Sequence, residues 1–330
     1  MENAAPTSDV TIAILSDIHY AGAAEQARGE DYEFRAIANP LLRIFARTYR
    51  HLVWMRHPLQ QGLQLDRFLR EVPLVDWAIV NGDYSCDTNF TGVNDAASFQ
   101  SAEECLGKLR VKFGERARFT LGDHDLGKLA VFGGLGGMRL DSWRAATEKL
   151  GLQPFWKMSL GNYVLMGVTS TLIALPAFQS DTLPEELPEW QKFHEAHLTE
   201  IRTVFDALKP NQRVLLFCHD PTALPFLAQE ESVRRRLPQI EHTVLGHLHT
   251  QAVFWNSRIL SGLPRINFLG HSLKKLTAAL NRASQWWQLH PLLCPSLSGT
   301  ELFNDGGYYI VKIDPTAKRP ARFEFQPMPR

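Results

Sequence analysis

The sequence predicts an α/β fold in a single domain, and three observations carry that expectation. Short apolar runs of strand length recur along the 330 residues, most of them rich in Val, Ile, Leu and aromatics, as buried strands are. In the first half, helical patterns separate these runs, and strand–helix–strand alternation implies parallel pairing. Hydrophobic residues make up 45% of the chain, enough for a packed core, and no repeat or low-complexity linker divides it. One domain over 1–330 is expected.

The strand-like runs fall at Val10–Leu15, Trp77–Val80, Arg118–Leu121, Val164–Thr169, Arg213–Cys218, His242–Leu245, Ala252–Trp255 and Tyr308–Ile313. Helical patterns occupy about Ala96–Lys112, Ser142–Leu150 and Leu187–Leu208. The later strands crowd together, which suggests a second, partly antiparallel sheet. Two stretches read as insertions, at about 34–65 and 261–300. Phe34–Leu65 holds five arginines and no acid. His242–Thr300 also lacks Asp and Glu, and carries Arg258, Arg265, Lys274, Lys275 and Arg282. Balancing acids such as Asp181, Glu185, Glu186, Glu189, Glu195 and Glu200 lie elsewhere, so a formal charge of zero conceals an uneven distribution.

That neutral total excludes a global field for nucleic acid or an acidic membrane. Cys86, Cys105, Cys218 and Cys294 are scattered and form no C-x-x-C pair, which argues against a disulfide framework and a zinc ribbon. Residues 1–9 are polar and acidic, unlike a signal peptide, and no apolar run approaches the roughly 18 residues of a membrane span. A cytoplasmic protein is expected, either soluble or lying on a surface.

Five motifs at strand ends carry the chemistry. Ser16-Asp17-Ile18-His19 follows the first run; on an extended segment a carboxylate and an imidazole two residues apart point the same way and can share a metal. Alone, that is no more than a polar strand end. Asn81-Gly82-Asp83 follows the second run, with a glycine where the backbone must turn tightly. Leu121-Gly122-Asp123-His124-Asp125 repeats the arrangement. Phe217-Cys218-His219-Asp220 ends another strand with a histidine, and Leu245-Gly246-His247-Leu248-His249 supplies two more imidazoles. Carboxyl ends of strands are where α/β proteins place ligands. The order D-x-H, G-D, G-D-H-D, H, G-H-x-H is improbable by chance.

This series resembles the calcineurin-like metallophosphoesterase superfamily, over Asp17 to His249, and Gly306-Gly307-Tyr308-Tyr309-Ile310-Val311 is similar to that family's closing strand. The resemblance implies a four-layer αββα sandwich, here with helical lid-like insertions, and an enzyme that hydrolyses phosphate or pyrophosphate esters. It implies that Asp17, His19 and His249 hold one metal, that Asp123, His219 and His247 hold a second, and that Asp83 bridges them. His124 would face the substrate phosphate and leaving group without binding metal, with Asp125 to orient it. Two cations about 3.5–4 Å apart lower the pKa of a bridging water and clamp the oxygens of an in-line displacement. Mixed carboxylate and imidazole donors suit Mn, Fe or Zn better than Mg or Ca, and two divalent ions, Mn²⁺ first, are expected. Where the family has Asn, this chain has Asp123, which ligates through oxygen, adds a negative charge and cannot donate as an amide does.

Other signals are weaker. Gly133-Gly134-Leu135-Gly136-Gly137 lacks the Lys-Ser/Thr of a P-loop and reads as a flexible loop near the site. His51, His57, His194, His197, His242, His271 and His290 fit no motif and read as structural or solvated. In Leu41–His57, one helical face gathers Leu41, Leu42, Ile44, Phe45, Tyr49, Leu52, Val53 and Met55, while Arg43, Arg47 and Arg50 line the other, with Trp54 among them. The bland reading is a helix packed on the core with a solvated basic face; the sharper one is an interfacial helix. Leu273, Leu276, Leu280, Ala283 and Trp287 form a second stripe at helical spacing, opposite Lys274, Lys275 and Arg282, with Trp286 beside Trp287 and Pro291-Leu292-Leu293 after it. Together they suggest a lid for an anionic amphiphile.

The metal motifs alone do not choose a substrate. The protein-phosphatase branch carries G-D-x-x-D-R-G, whereas Gly82-Asp83-Tyr84-Ser85-Cys86-Asp87-Thr88 lacks the Arg-Gly. The lid favours a lipid-linked pyrophosphate. UDP-2,3-diacylglucosamine pyrophosphatases of lipid A synthesis, which release UMP and a lipid phosphate, commonly have Arg where this chain has His124, but a divergent branch is similar in length and layout. A nuclease or other phosphodiesterase is the enzymatic rival, because phosphate-binding Arg and Lys would look the same. A metal-free scaffold of this fold is the non-enzymatic rival, though all seven ligand positions here hold metal-binding residues. Expected partners are the substrate and, through the lid, the anionic inner face of a membrane; no protein partner is expected.

Overall fold

The computed structural model describes residues 8–86, 88, 90–127, 136–262 and 281–329. Two five-stranded sheets run through it. The first has the order β10-β9-β1-β2-β3, the second β4-β5-β6-β7-β8. Their strands are β1 Val10–Leu15, β2 Trp77–Asn81, β3 Ala117–Thr120, β4 Phe155–Leu160, β5 Tyr163–Val168, β6 Arg213–Cys218, β7 Ile240–Leu245, β8 Pro291–Leu293, β9 Gly307–Ile313 and β10 Arg322–Pro327. β1, β2 and β3 are parallel, as are β5 to β8; the antiparallel pairs are β1–β9, β9–β10 and β4–β5.

Side-chain alternation sorts each strand between two cores. Ile12 and Ile14 of β1 join Ile79, Trp156, Leu165, Leu215, Phe217 and Val244 in the layer between the sheets. Their neighbours Ala13 and Leu15 face outward, against Leu65 and Phe68 of the helix Gly62–Glu71 and Leu106 and Leu109 of the helix Ala96–Phe113. On the second sheet, Val214, Leu216 and Cys218 face outward against Leu198, Ile201 and Phe205 of the helix Leu187–Asp206. Helix, sheet, sheet, helix: the expected αββα sandwich is present.

Where the sequence reading failed, the cause is specific. Ala252–Trp255 lies inside the helix Gln251–Ile259, not in a strand. A four-residue apolar run carries no period of its own, and the Thr250 hydroxyl caps the Ala252 N–H at 3.2 Å to start the helix. β4, β8 and β10 are not among the expected strands. β4 and β10 alternate apolar with polar residues such as Lys157, Ser159 and Glu324 rather than forming a continuous run, and β8 is three residues long. Ser142–Leu150 is a short α-helix, Leu140–Arg144, continued by a π-helical turn, Ala145–Lys149.

The insertions also differ from expectation. Pro40–Tyr49 is helical and continues through a π-helical turn, Arg50–Trp54. Much of its apolar face does not pack on the core: Leu41, Ile44, Phe45, Tyr49 and Leu52 are exposed, Leu41 at 77%, whereas Leu42 packs on Phe34, Ile37 and Ala46 and Met55 is fully buried. On the basic face only Arg50 turns inward, while Arg47 stays exposed. Arg50 is buried and pairs with Glu33 at 2.9 Å, Arg47 pairs with Asp31, and Arg43 donates to the Ile37 carbonyl. In the second insertion, Leu273, Leu276, Leu280, Lys274 and Lys275 lie outside the described residues, as do Gly133, Gly134 and Leu135 of the glycine-rich loop. Ala283–Leu289 forms a 3₁₀ helix whose Trp286 is buried in the second sheet's outer core, while Trp287 packs on Phe254 and Trp255.

Phe217, fully buried between the sheets two residues before His219, should be among the most sensitive core positions. Phe217→Ala is expected to cost about 3–5 kcal/mol in urea unfolding; a loss below about 1 kcal/mol would contradict this packing.

Candidate metal centre

All five motifs arrive at the carboxyl ends of parallel strands. Asp17 and His19 follow β1, Asp83 follows β2, Asp123 follows β3, His219 follows β6 and His247 and His249 follow β7. The two sheets meet here. His219 Nδ1 donates to the Asn81 carbonyl at 2.5 Å, and the His247 N–H donates to the Asp17 carboxylate at 3.0 Å, so each sheet orients residues of the other.

The local backbone is not the extended one the spacing suggested. Asp17, His19, Asp83, His247 and His249 all adopt positive φ, between 50° and 61°. L-residues other than Asn and Asp rarely enter this region, at a cost of about 1–2 kcal/mol each. Asp17 and His19 therefore converge through a left-handed turn pinned by the β2 loop: their N–H groups donate to the Gly82 and Asp83 carbonyls at 3.2 and 3.1 Å. Strain concentrated in this way is typical of a functional site. Two glycines make room for it. A Cβ on Gly82, whose φ is +91°, would lie 2.6 Å from His219 Nδ1, and one on Gly122 would lie 2.0 Å from Asp83 Oδ1.

Among the described residues, four three-residue sets bring ligand atoms together: Asp17, His19 and His249; Asp123, His219 and His247; Asp17, Asp83 and His219; and His19, Asp83 and His124. Asp83 belongs to two sets and lies between the first pair of triads. Within them, His249 Nε2 stands 3.3 Å from Asp17 Oδ1 and 3.1 Å from His19 Nε2. His219 Nε2 stands 3.1 Å from Asp83 Oδ2 and 3.2 Å from Asp123 Oδ1, and His247 Nδ1 stands 2.8 Å from Asp123 Oδ1. Asp83 Oδ2 and His219 Nε2 are both buried, and although 3.1 Å apart they form no well-directed hydrogen bond. Buried polar atoms are normally satisfied, and two such donor atoms facing one another suit a shared cation. Mixed carboxylate oxygens and imidazole nitrogens fit divalent transition metals. The residues present fit the group that the sequence implied.

Beside the ligand sets, His124 is 5% exposed, with Nε2 3.9 Å from Asp83 Oδ2 and its ring edge-on to His19. Asp125, expected to orient it, is committed to backbone instead. Its carboxylate accepts from Gly122 N at 2.8 Å, Tyr84 N at 3.0 Å and Asp83 N at 3.2 Å. Adjacent helical residues do not face one another, so Asp125 holds the Asp83 loop. Trp54, read only as part of the lid, packs on the ring of His249 with centroids 4.5 Å apart. No spacing rule links them; only the fold could reveal that contact.

Opposing electrostatics govern these groups. Burial raises the Asp17 carboxyl, but the imidazoles of His219, His249 and His19 outweigh it and hold it well below the usual range. Asp123 is likewise depressed, because His247 and His219 outweigh burial. For Asp83, burial together with Asp123 and Asp17 overcomes His219 and pushes the carboxyl up to about 7. Burial disfavours charged imidazoles, yet Asp83 and Asp17 lift His219 well above its ordinary value, and Asp123 and Asp220 lift His247 to about 10.

Residues 10–251 match the family model of the calcineurin-like phosphoesterases, a span covering more than half of the chain. Among solved structures, the chain is similar to the phosphopantetheinyl hydrolase of Mycobacterium tuberculosis at 12% identity, with 74% of this chain and 84% of that chain covered and a TM-score of 0.34. It is also similar to a predicted phosphoesterase of Streptococcus pneumoniae TIGR4 at 12% identity, with 97% and 100% covered and a TM-score of 0.28. No curated protein sequence matches.

Two outcomes follow from the geometry. Gly122→Ala should displace the Asp83 carboxylate and lower metal content per chain while the fold persists; full metal content would show that the loop can yield. The second concerns pH. Raised native values mean that His247 contributes stability present below its unfolded value, about 6.5, and lost as pH climbs through about 10. Asp83 acts in the same sense between its unfolded value, about 4, and about 7. The depressed Asp17 and Asp123 contribute only above about pH 4, and lose that as pH falls. Metal-stripped protein should therefore melt at falling temperature as pH rises from neutral toward 10, in differential scanning fluorimetry. A rising Tm over that window would contradict the assignment.

Proposed function

The chain belongs to the calcineurin-like phosphoesterase family and is a metal-dependent phosphoesterase, and from that premise we propose a dinuclear hydrolase acting on a lipid-linked pyrophosphate, UDP-2,3-diacylglucosamine or a close analogue. Asp17, His19 and His249 would hold one divalent ion, Asp123, His219 and His247 the other, with Asp83 available to both. When bound, such ions, Mn²⁺ on this reading, supply Lewis acidity toward a phosphoryl oxygen and toward the attacking water. Asp125 positions the Asp83 loop. His124, on the rim of the same cluster, holds a proton for the leaving oxygen. The phosphoanhydride P–O bond breaks, water's oxygen joins the attacked phosphorus, and UMP and a lipid phosphate leave.

The observation that supports a lipid substrate is the outward apolar stripe Leu41, Ile44, Phe45, Tyr49 and Leu52, which leads to Trp54 on the ligand His249. Surfaces of this kind mark binding sites when contiguous. Leu302 and Phe303, also exposed, extend it, since Glu301 and Leu302 donate to the Trp54 and Val53 carbonyls. The arginines count against a nuclease, because Arg47 and Arg50 are neutralised by Asp31 and Glu33 rather than left to track a phosphate backbone. On this reading the protein works in the cytoplasm against the anionic inner face of the membrane. Among the described residues, no helix is long and apolar enough to cross one.

The test uses the stripe and not Trp286, whose burial would confound it. A Leu41→Ser, Ile44→Ser, Phe45→Ser variant should raise KM for a diacylated UDP-sugar by tenfold or more, equivalent to about 1.4 kcal/mol. Hydrolysis of bis-p-nitrophenyl phosphate should change little. Equal losses on both would remove the acyl-binding role, and good activity on nucleic acid without flotation on anionic liposomes would favour the nuclease. Asp83→Ala should abolish turnover and reduce metal content. His124→Ala should keep both metals and lose about 10²–10⁴-fold in rate, as removal of a positioned acid does.

A further inference from the structure

Glu25 is a carboxylate with no place in the reaction, yet it is 2% exposed. It sits in the short helix Ala23–Arg28, against the inner side of the helix Ala96–Phe113. Burying a carboxylate is costly unless hydrogen bonds replace its water. Glu25 has them. Oε1 accepts from the Ser98 hydroxyl at 3.1 Å, and Oε2 accepts from the Cys86 N–H at 3.2 Å. Ser98 is itself fixed, its N–H capped by Asp95 at 3.1 Å in the first turn of the long helix.

The Cys86 N–H and the Ser85 carbonyl belong to one peptide group. That group is planar and trans, so its N–H and C=O point in opposite directions, and holding one end aims the other. The Ser85 carbonyl is aimed at His19, whose Nδ1 lies 3.3 Å away. With Nδ1–H donated there, Nε2 is left toward Asp17 and His249. Hydrogen bonding by the second ring nitrogen fixes both the tautomer and the orientation of a ligating imidazole.

We propose that Glu25 is a positioning residue for His19, acting through the Ser85–Cys86 peptide to hold the imidazole in its metal-binding tautomer. The inference rests on the reading of His19 as a ligand. It makes a site-selective claim: losing Glu25 weakens the ion held by Asp17, His19 and His249 and spares the one held by Asp123, His219 and His247. A carboxylate that merely fills space would touch both sites equally or neither.

Mn²⁺ titration of metal-stripped protein, followed by calorimetry and electron paramagnetic resonance, tests this. In Glu25→Ala one of the two sites should weaken about 10–100-fold, the range for loss of such outer-shell partners, while the other stays within about threefold. Glu25→Gln should bind at both sites nearly as the parent does, because its amide oxygen still accepts from Cys86 and its NH₂ still reaches the Ser98 hydroxyl. His19→Ala provides the reference and should lose the same site. Unchanged affinities in Glu25→Ala, beside a site lost in His19→Ala, would overturn the proposal. So would a well-folded Glu25→Gln as defective as Glu25→Ala. Two intact sites in His19→Ala would instead bring down the ligand assignment beneath it.

Discussion

His219 ties the two sheets together where the chemistry converges. It ends β6 of one sheet, yet its Nδ1 donates to Asn81 at the end of β2 in the other. That bond leaves Nε2 facing Asp83 and Asp123 at 3.1 and 3.2 Å. The geometry requires the sheets to stack in one register, with the ends of β1, β2 and β3 level with those of β6 and β7. The inter-sheet layer built on Ile12, Ile14, Leu215 and Phe217 fixes that level. Packing deep in the sandwich thus becomes ångström-scale placement at its rim.

The rim also stores strain. Five ligand-type residues in left-handed backbone would be unstable in an isolated loop. They persist because each loop is pinned from outside: Asp17 and His19 by carbonyls of the β2 loop, Asp83 and Tyr84 by the Asp125 carboxylate, and His247 by the Asp17 carboxylate. Asp305 does similar work below His249, accepting from the Thr250 hydroxyl and from Thr300 N at 3.1 Å.

Much of this was legible in sequence because strands write their ends plainly. An apolar run that ends in Asp or His, at Asp83, Asp123 and His247 directly after a glycine, says where the chain leaves the sheet, and the seven residues at these strand ends do converge. The backbone that brings them together was not legible, since no spacing rule distinguishes an extended Asp17–His19 from a left-handed one. Asp125 was misread for a related reason: sequence adjacency suggested His124, whereas the fold supplied three backbone N–H groups. Leu41–Leu52 shows a deeper limit. Periodicity reveals that a helix has two faces but not which one looks outward, and here Glu33, upstream of the segment, pairs with a buried Arg50 while Leu41, Ile44 and Phe45 are left outside.

Asp123 completes the electrostatic logic. As an acid it gathers His219 and His247 around one oxygen, at 3.2 and 2.8 Å, where an amide would bring no charge. Near neutral pH the raised values of His219 and His247 keep both imidazoles protonated when no cation stands beside them, against the ionised Asp17 and Asp123. Protons then neutralise the cluster, and any divalent ion held by these residues would have to displace them. The exchange conserves charge approximately, so repulsion among the carboxylates never has to be borne by the loops alone. Affinity for metal must rise with pH for the same reason, because each proton removed is a competitor lost. The carboxylate at position 123 therefore favours a cluster that stays assembled without a cation, and it would lower the net positive charge of any ions held there.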